Sequence, residues 1–193
     1  MHVKLILPNT YVDRGALVGL PLFYLADPIR GADDWQAKAI QMLDEHYRGN
    51  CAVVNPSRYD ETHPLYGCKA EGDENVFRRQ TDWEHYYMSE ASGHGCLIFW
   101  LPCESRENPR PRADGPYAQD TYGELGYWRA MLEVSERGGT LRPMMVIGAE
   151  FGFHGFKKLQ RDFARAVDAP FEIRTTLYSV VHEAIRIANL SHH

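Results

Sequence analysis

The chain is poor in the features that would assign it to the commonest site chemistries. Its four cysteines, Cys51, Cys68, Cys96 and Cys103, form no CxxC pair. Two of them lie in apolar strand-like runs, so they read as reduced thiols of a cytoplasmic protein rather than a disulfide framework. A basic face is also lacking. Lys and Arg number 21 against 26 Asp and Glu, a formal charge of -5, and they are scattered except around Lys157, Lys158 and Arg161. Binding to a nucleic-acid polymer needs concentrated positive charge and is not expected. No apolar run approaches the roughly 20 residues that span a bilayer. The N-terminus has no basic segment leading into an apolar run and a small-residue cleavage site, so neither a membrane partner nor a signal peptide is expected. Nine histidines include no HxxxH, HExxH or Cys-His cluster, and no metal is expected. The motifs GxSxG, GxGxxG and GxxxxGK[ST] are all missing, which removes the nucleophile elbow, the dinucleotide fingerprint and the P-loop. No cofactor is therefore expected.

What is present is alternation. Apolar runs at Val3 to Leu7, Pro21 to Ala26, Cys51 to Val54, Cys96 to Leu101, Met144 to Gly148 and Phe171 to Thr175 are separated by helix-period segments. This is the signature of a parallel sheet covered on both faces, an α/β fold. At 193 residues the chain is long enough for one domain with a substantial core. Residues 1–20, with Pro8, Gly15 and Gly19, read as an extension ahead of a core domain at 21–193. Asp33 to Tyr47 places Trp35, Ala39, Met42 and Leu43 on one stripe that faces the sheet. Asn75 to Ala91 repeats the period with Phe77, Gln80, Glu84, Tyr87 and Ala91, putting a polar pair on a partly buried face where a carboxylate needs partners. Ser179 to Leu190 is a core helix. Asn55 to Glu74 and Pro102 to Gln119 are long loops, a length usually kept for lids or subunit contacts.

Ligands of open α/β sheets bind where strand-to-helix loops leave a crevice at the carboxyl edge. Three segments fall there. Tyr24-Leu25-Ala26-Asp27-Pro28-Ile29-Arg30-Gly31 ends the second run and opens a helix. It is either a plain βα turn or a crevice wall made by Asp27, Ile29, Arg30 and Gly31. Asn55 before Pro56 is either turn chemistry or a ligand hydrogen bond. Asp120-Thr121-Tyr122-Gly123-Glu124-Leu125-Gly126 reads as a helix opening with Asp120 as N-cap, which places Asp120, Thr121, Gly123 and Glu124 on the crevice. The helix dipole would there hold Glu124 ionised. Gly123 and Gly126 each cost about 1 kcal/mol in a helix relative to Ala, so a close approach of ligand or strand is expected at them. Gln80, Asp82, Trp83 and Glu84 lie either on a solvated face or on a helix turned toward the same crevice. Two carboxylates from separate helices would allow nucleophilic and acid/base roles to be divided, as in retaining glycosyl transfer.

The turn at 24–31, the Gln80/Trp83/Glu84 helix and Gly123-Glu124-Leu125-Gly126-Tyr127, in this order, resemble the nucleoside 2-deoxyribosyltransferase superfamily, which includes nucleoside-monophosphate N-glycosidases. The likeness covers roughly residues 21–150. It implies a flavodoxin-like doubly wound parallel sheet of about five strands. It also implies cleavage or transfer at the N-glycosidic bond of a nucleoside or nucleotide, in a homo-oligomer whose neighbour completes the site. By the same resemblance Glu124 is the nucleophile, Tyr24 its hydrogen-bonding partner and Glu84 the second acid, with Asp120 the other carboxyl that could protonate the departing base. Asp82 competes for the place of Glu84, because Ser92 to Gly95 read as a lengthened connection to the next strand. Two positions depart from the family pattern: Asp27 stands where a small residue is usual, and Ala118, six residues before Glu124, where Asp or Ser is usual. A nucleotide-binding module without turnover is the alternative.

Overall fold

The computed structural model describes residues 2–8, 10–26, 28–56 and 76–191. Strands β1 (Val3–Ile6), β2 (Leu22–Ala26), β3 (Cys51–Val54), β4 (Gly95–Leu101) and β5 (Met145–Ala149) alternate with helices. The helices are α1 (Trp35–His46), α2 (Val76–His94), α3 (Gln119–Glu136), α4 (Phe156–Ala166) and α5 (Leu177–Ser191). Every strand pair is parallel, in the order β1-β3-β2-β4-β5. Without β1, the order β3-β2-β4-β5 is that of a flavodoxin-like doubly wound sheet. The fifth place is held only by a bridge between Gly148 and Arg174. The run Phe171 to Thr175, expected as a strand, is thus reduced to one pairing. Only Ile173 of it is buried, Glu172 and Thr175 face solvent, and α5 begins at Leu177.

The sheet is buried on both faces, which is why β2, β3 and β4 read as unbroken apolar runs rather than alternating ones. One face packs Tyr24, Val54, Leu97, Phe99 and Ile147 against Trp83, Tyr87, Leu125, Leu132 and Phe163 from α2, α3 and α4. The other packs Phe23, Val53, Ile98 and Val146 against Trp35, Leu43, Val180 and Ala184 from α1 and α5. The expected stripe of α1 holds at Trp35, Ala39 and Leu43, while Met42 is only half-buried and Gln36 is buried beside them. Asp34 caps α1 by accepting from the Ala37 N–H at 3.0 Å.

Helix α2 runs through Ser92, Gly93 and His94 and β4 starts at the next residue, so the lengthened connection expected there does not exist. Gly95 permits this abrupt junction, because a Cβ on it would lie 2.0 Å from the Leu22 carbonyl oxygen.

Residues 2–8 and 10–20 are integrated into this fold. Val3 to Ile6 pair in register with Cys51 to Val54. The chain then returns toward β2 on the face that carries α2, through a 3-10 turn at Arg14–Leu17 whose Asp13 cap accepts from the Gly15 N–H at 2.7 Å. Val12 and Leu17 of this return pack on the same core as Trp83 and Tyr87.

Candidate functional site

At the carboxyl edge, where the connections from β2 and β4 diverge to opposite faces, the molecule opens into a cavity of about 1000 Å³. Each wall comes from a separate element. Strand β2 and its following loop supply Tyr24, Ala26, Pro28, Ile29 and Arg30; α2 supplies Gln80, Thr81, Glu84, His85 and Met88; α3 supplies Asp120, Thr121, Gly123, Glu124 and Trp128. The topological switch point therefore gathers residues a hundred positions apart.

Of the residues expected at the site, Tyr24, Ile29, Arg30, Glu84, Asp120, Thr121, Gly123 and Glu124 all line this cavity. Asp27 and residues 57–75, which include most of the loop from Asn55 to Glu74, lie outside the described residues. Three expectations are corrected. Asn55 is wholly buried at the end of β3, where its backbone N–H donates to the Ile6 carbonyl at 3.0 Å. Its neighbour Pro56 reaches the cavity in its place. Gly31 is not on the wall. It adopts φ +81, and a Cβ there would meet the Arg110 backbone nitrogen at 2.7 Å, so it lets the β2–α1 loop pack against the loop that follows β4. The Ser105 N–H donating to the Gly31 carbonyl at 2.7 Å fastens the same contact. Asp82 faces solvent away from the cavity. One helical turn cannot present residues 82 and 84 to the same side, and the buried Trp83 decides which is turned inward.

The start of α3 also differs from expectation. The N-cap is Ala118 in the left-handed region, with φ 59, and it makes no side-chain cap. Asp120 lies inside the first turn and turns outward, its carboxylate 77% exposed and 3.3 Å from Arg110 Nη2. Glu124 thus stands in the second turn, beyond the reach of the terminal dipole. It is half-buried, and burial, reinforced by the like charges of Glu84 and Asp120, pushes its carboxyl up to about 8. The helix dipole expected to hold Glu124 ionised does not reach it, and burial favours the protonated form instead. Gln80 on α2, itself buried, donates from its side-chain amide to Glu84. Among the described residues neither Gly123 nor Gly126 has any neighbour within 4 Å of an added Cβ, so no described strand approaches them. Gly123 borders the cavity; Gly126 does not.

Thr81, His85, Met88 and Trp128 of the wall were not expected there from the sequence, and neither was Arg110. The Arg110 side chain is only 9% exposed, its Nη2 donates to the Asp114 carbonyl at 2.7 Å, and its buried Nε finds no hydrogen-bond partner among the described residues. Arg30 faces the same Asp114 through a 3.0 Å ion pair. Nothing in the sequence separates Arg110 from Arg106 and Arg112 in the same Pro-rich loop, since only packing buries one of the three.

Among the described residues no group of three or more His, Cys, Asp or Glu is placed to hold a metal ion. Among them, too, no helix is long and apolar enough to cross a membrane. No protein-family model matches the chain, and no curated protein matches it significantly.

Proposed function

We propose that the chain cleaves or transfers at the N-glycosidic bond of a nucleoside or nucleotide, with Glu124 as nucleophile and Glu84 as acid. The observation that carries this reading is the convergence of Glu124, Glu84 and Tyr24, from three elements, on one cavity of about 1000 Å³. That volume accommodates a nucleotide-sized ligand. The aromatic and thioether groups of Tyr24, Trp128, Tyr127 and Met88 on the wall suit a flat base.

The perturbed carboxyl fits the chemistry. A proton resides on Glu124 at neutral pH because burial disfavours its charge. Passing that proton to Glu84 produces the reactive arrangement, an ionised Glu124 and a protonated Glu84. The Glu124 carboxylate then attacks the anomeric carbon, the bond from that carbon to the base nitrogen breaks, and the electron pair leaves with the base as Glu84 protonates it. Water or a second base, deprotonated by Glu84, attacks the same carbon and releases Glu124. A second copy of the chain would close the open side of the cavity, where Tyr127 is 59% exposed, and light scattering on the purified protein gives the subunit number.

The test is chromatographic detection of base release over a panel of nucleosides and nucleoside monophosphates. Turnover of at least one substrate is expected, with Glu124→Gln lowering it by roughly 10³-fold or more, the size of loss seen when a nucleophile is removed. No release from any member of the panel, or full turnover by Glu124→Gln, overturns the proposal. A protonated Glu124 also suits the second reading, a binding module that recognises a nucleotide without turnover. Calorimetric binding of a nucleotide together with zero base release would establish that reading instead.

A further inference from the structure

Whether Glu84 points into the cavity depends on how α2 is rotated about its axis. Trp83 and Tyr87, one turn apart and flanking Glu84, face away from the cavity and are wholly buried. Their polar tips converge on one atom. Trp83 Nε1–H donates to the Thr10 carbonyl oxygen at 2.8 Å, and the Tyr87 hydroxyl donates to the same oxygen at 3.1 Å. The Tyr87 oxygen in turn accepts from the Val12 N–H at 2.9 Å. The Trp83 ring also lies against Tyr24, with centroids 6.5 Å apart. The stretch that carries Thr10 and Val12 is tethered at both ends, by β1 paired to β3 and by β2 at the centre of the sheet.

We propose that Trp83 and Tyr87 are positioning residues for Glu84, and that the backbone of Thr10 and Val12 clamps α2 in the one rotation that holds Glu84 in the cavity beside Glu124. Buried Trp and Tyr usually find a partner for their polar tip. Here two side chains on either side of one carboxylate share a single carbonyl, a geometry that resists rotation of the helix. The other contact of the same strap, an ion pair at 2.5 Å between the exposed Arg14 and the half-buried Glu90, is open to solvent on the Arg14 side and adds little to that restraint.

The importance of the clamp to turnover rests on the proposed function; its effect on the geometry of the two carboxyls does not. The full chain is compared with Trp83→Phe, Tyr87→Phe, the double substitution and Arg14→Ala. One readout needs no substrate: carboxyl ¹³C NMR titration of Glu124. The other is kcat and KM for base release. Releasing α2 lets Glu84 move from Glu124, so the Glu124 midpoint is expected to fall along the pH scale in both single variants and further in the double. Asp120, Arg110, Arg30 and His85 also face the cavity and are untouched by these changes; Tyr24 lies against Trp83, so Tyr87→Phe, which keeps that ring contact, separates the clamp from an effect on Tyr24. In turnover, kcat is expected to drop roughly 10- to 100-fold, the loss typical of about 1 Å misplacement, with KM held within about twofold. Arg14→Ala leaves both readouts at their wild-type values. A Glu124 titration in Trp83→Phe and Tyr87→Phe that superimposes on the wild-type curve, with only the melting temperature lowered, overturns the clamp. Should the wild type release no base, the proposed function fails while the titration still decides the clamp. If the double variant does not fold, the single variants, each retaining one donor to Thr10, decide it.

Discussion

Glu124 carries opposing demands. A nucleophile must be ionised, yet burial in the second turn of α3, reinforced by the charges of Glu84 and Asp120, pushes its carboxyl up to about 8. Below that pH the folded protein holds a proton on Glu124, whereas an unfolded chain releases it near 4.3. The folded state therefore binds more protons between these values, and the stability that this difference contributes is lost as pH rises toward 8. Glu124→Gln removes the penalty. Its melting temperature is expected to exceed the wild-type value by a margin that widens from pH 5 to pH 8, which differential scanning calorimetry at both pH values would measure. Base release by the free enzyme is expected to fall through about pH 8, because losing the proton held on Glu124 leaves none to pass to Glu84 for the departing base, and Glu84→Gln should bring the midpoint of Glu124 down by removing a like charge. Arg110 adds the opposite charge at the cavity mouth. Arg110→Met is expected to weaken binding of nucleoside monophosphates more than of the matching nucleosides, because only the former carry an anion for a guanidinium to pair with. Calorimetric titration of each pair gives the ratio.

The glycines of α3 and of the β2–α1 loop test how secondary elements build the cavity. An Ala at Gly126 meets nothing within 4 Å, so Gly126→Ala is expected to stabilise the chain by up to about 1 kcal/mol and to leave turnover unchanged. Gly123→Ala gains a similar amount of helix propensity but places a methyl at the cavity wall, and a raised KM is the expected outcome. Gly31 behaves in the opposite way. Its φ of +81 and the 2.7 Å approach of the Arg110 backbone nitrogen to an added Cβ make Gly31→Ala destabilising by about 1–2 kcal/mol from the left-handed conformation alone. Chemical denaturation measures all three. The Gly123 and Gly126 pair was legible as an oddity from the sequence, since two glycines in one turn oppose helix formation. Its cause was not, because an open space next to a helix is a property of packing.

For the molecule as a whole, the return segment from Thr10 to Leu20 does what a helix does in other crossovers. Val12 and Leu17 complete the core over β3 and β2, and β1 closes the sheet at the outer edge of β3. A chain beginning at Pro21 would uncover the hydrogen-bonding edge of Cys51 to Val54, all four of which are buried. Unprotected strand edges template association. Such a chain is expected to elute as aggregate and to lose near-ultraviolet circular dichroism from Trp83 and Tyr87, whereas the full chain remains discrete on size-exclusion chromatography.

The alternation of apolar runs and helix-period segments was enough to establish a doubly wound parallel sheet, because strands buried on both faces cannot tolerate polar residues and the pattern records that requirement directly. The segments at Tyr24 and Glu124 marked two cavity walls for a related reason, since loops and helix openings after parallel strands lie at one edge, whereas Glu84, midway along α2, was marked only as a polar residue on a partly buried face. Other properties arise between elements distant in the chain and leave no local mark. Burial of Arg110 rather than Arg106 or Arg112, selection of Glu84 over Asp82 through Trp83, and the carboxyl of Glu124 raised instead of lowered all depend on what surrounds a side chain once the helices have packed. The Phe171 to Thr175 run had the composition of a strand, but a ladder needs a neighbour along its length, and with α5 starting at Leu177 the tertiary structure left room for a single bridge.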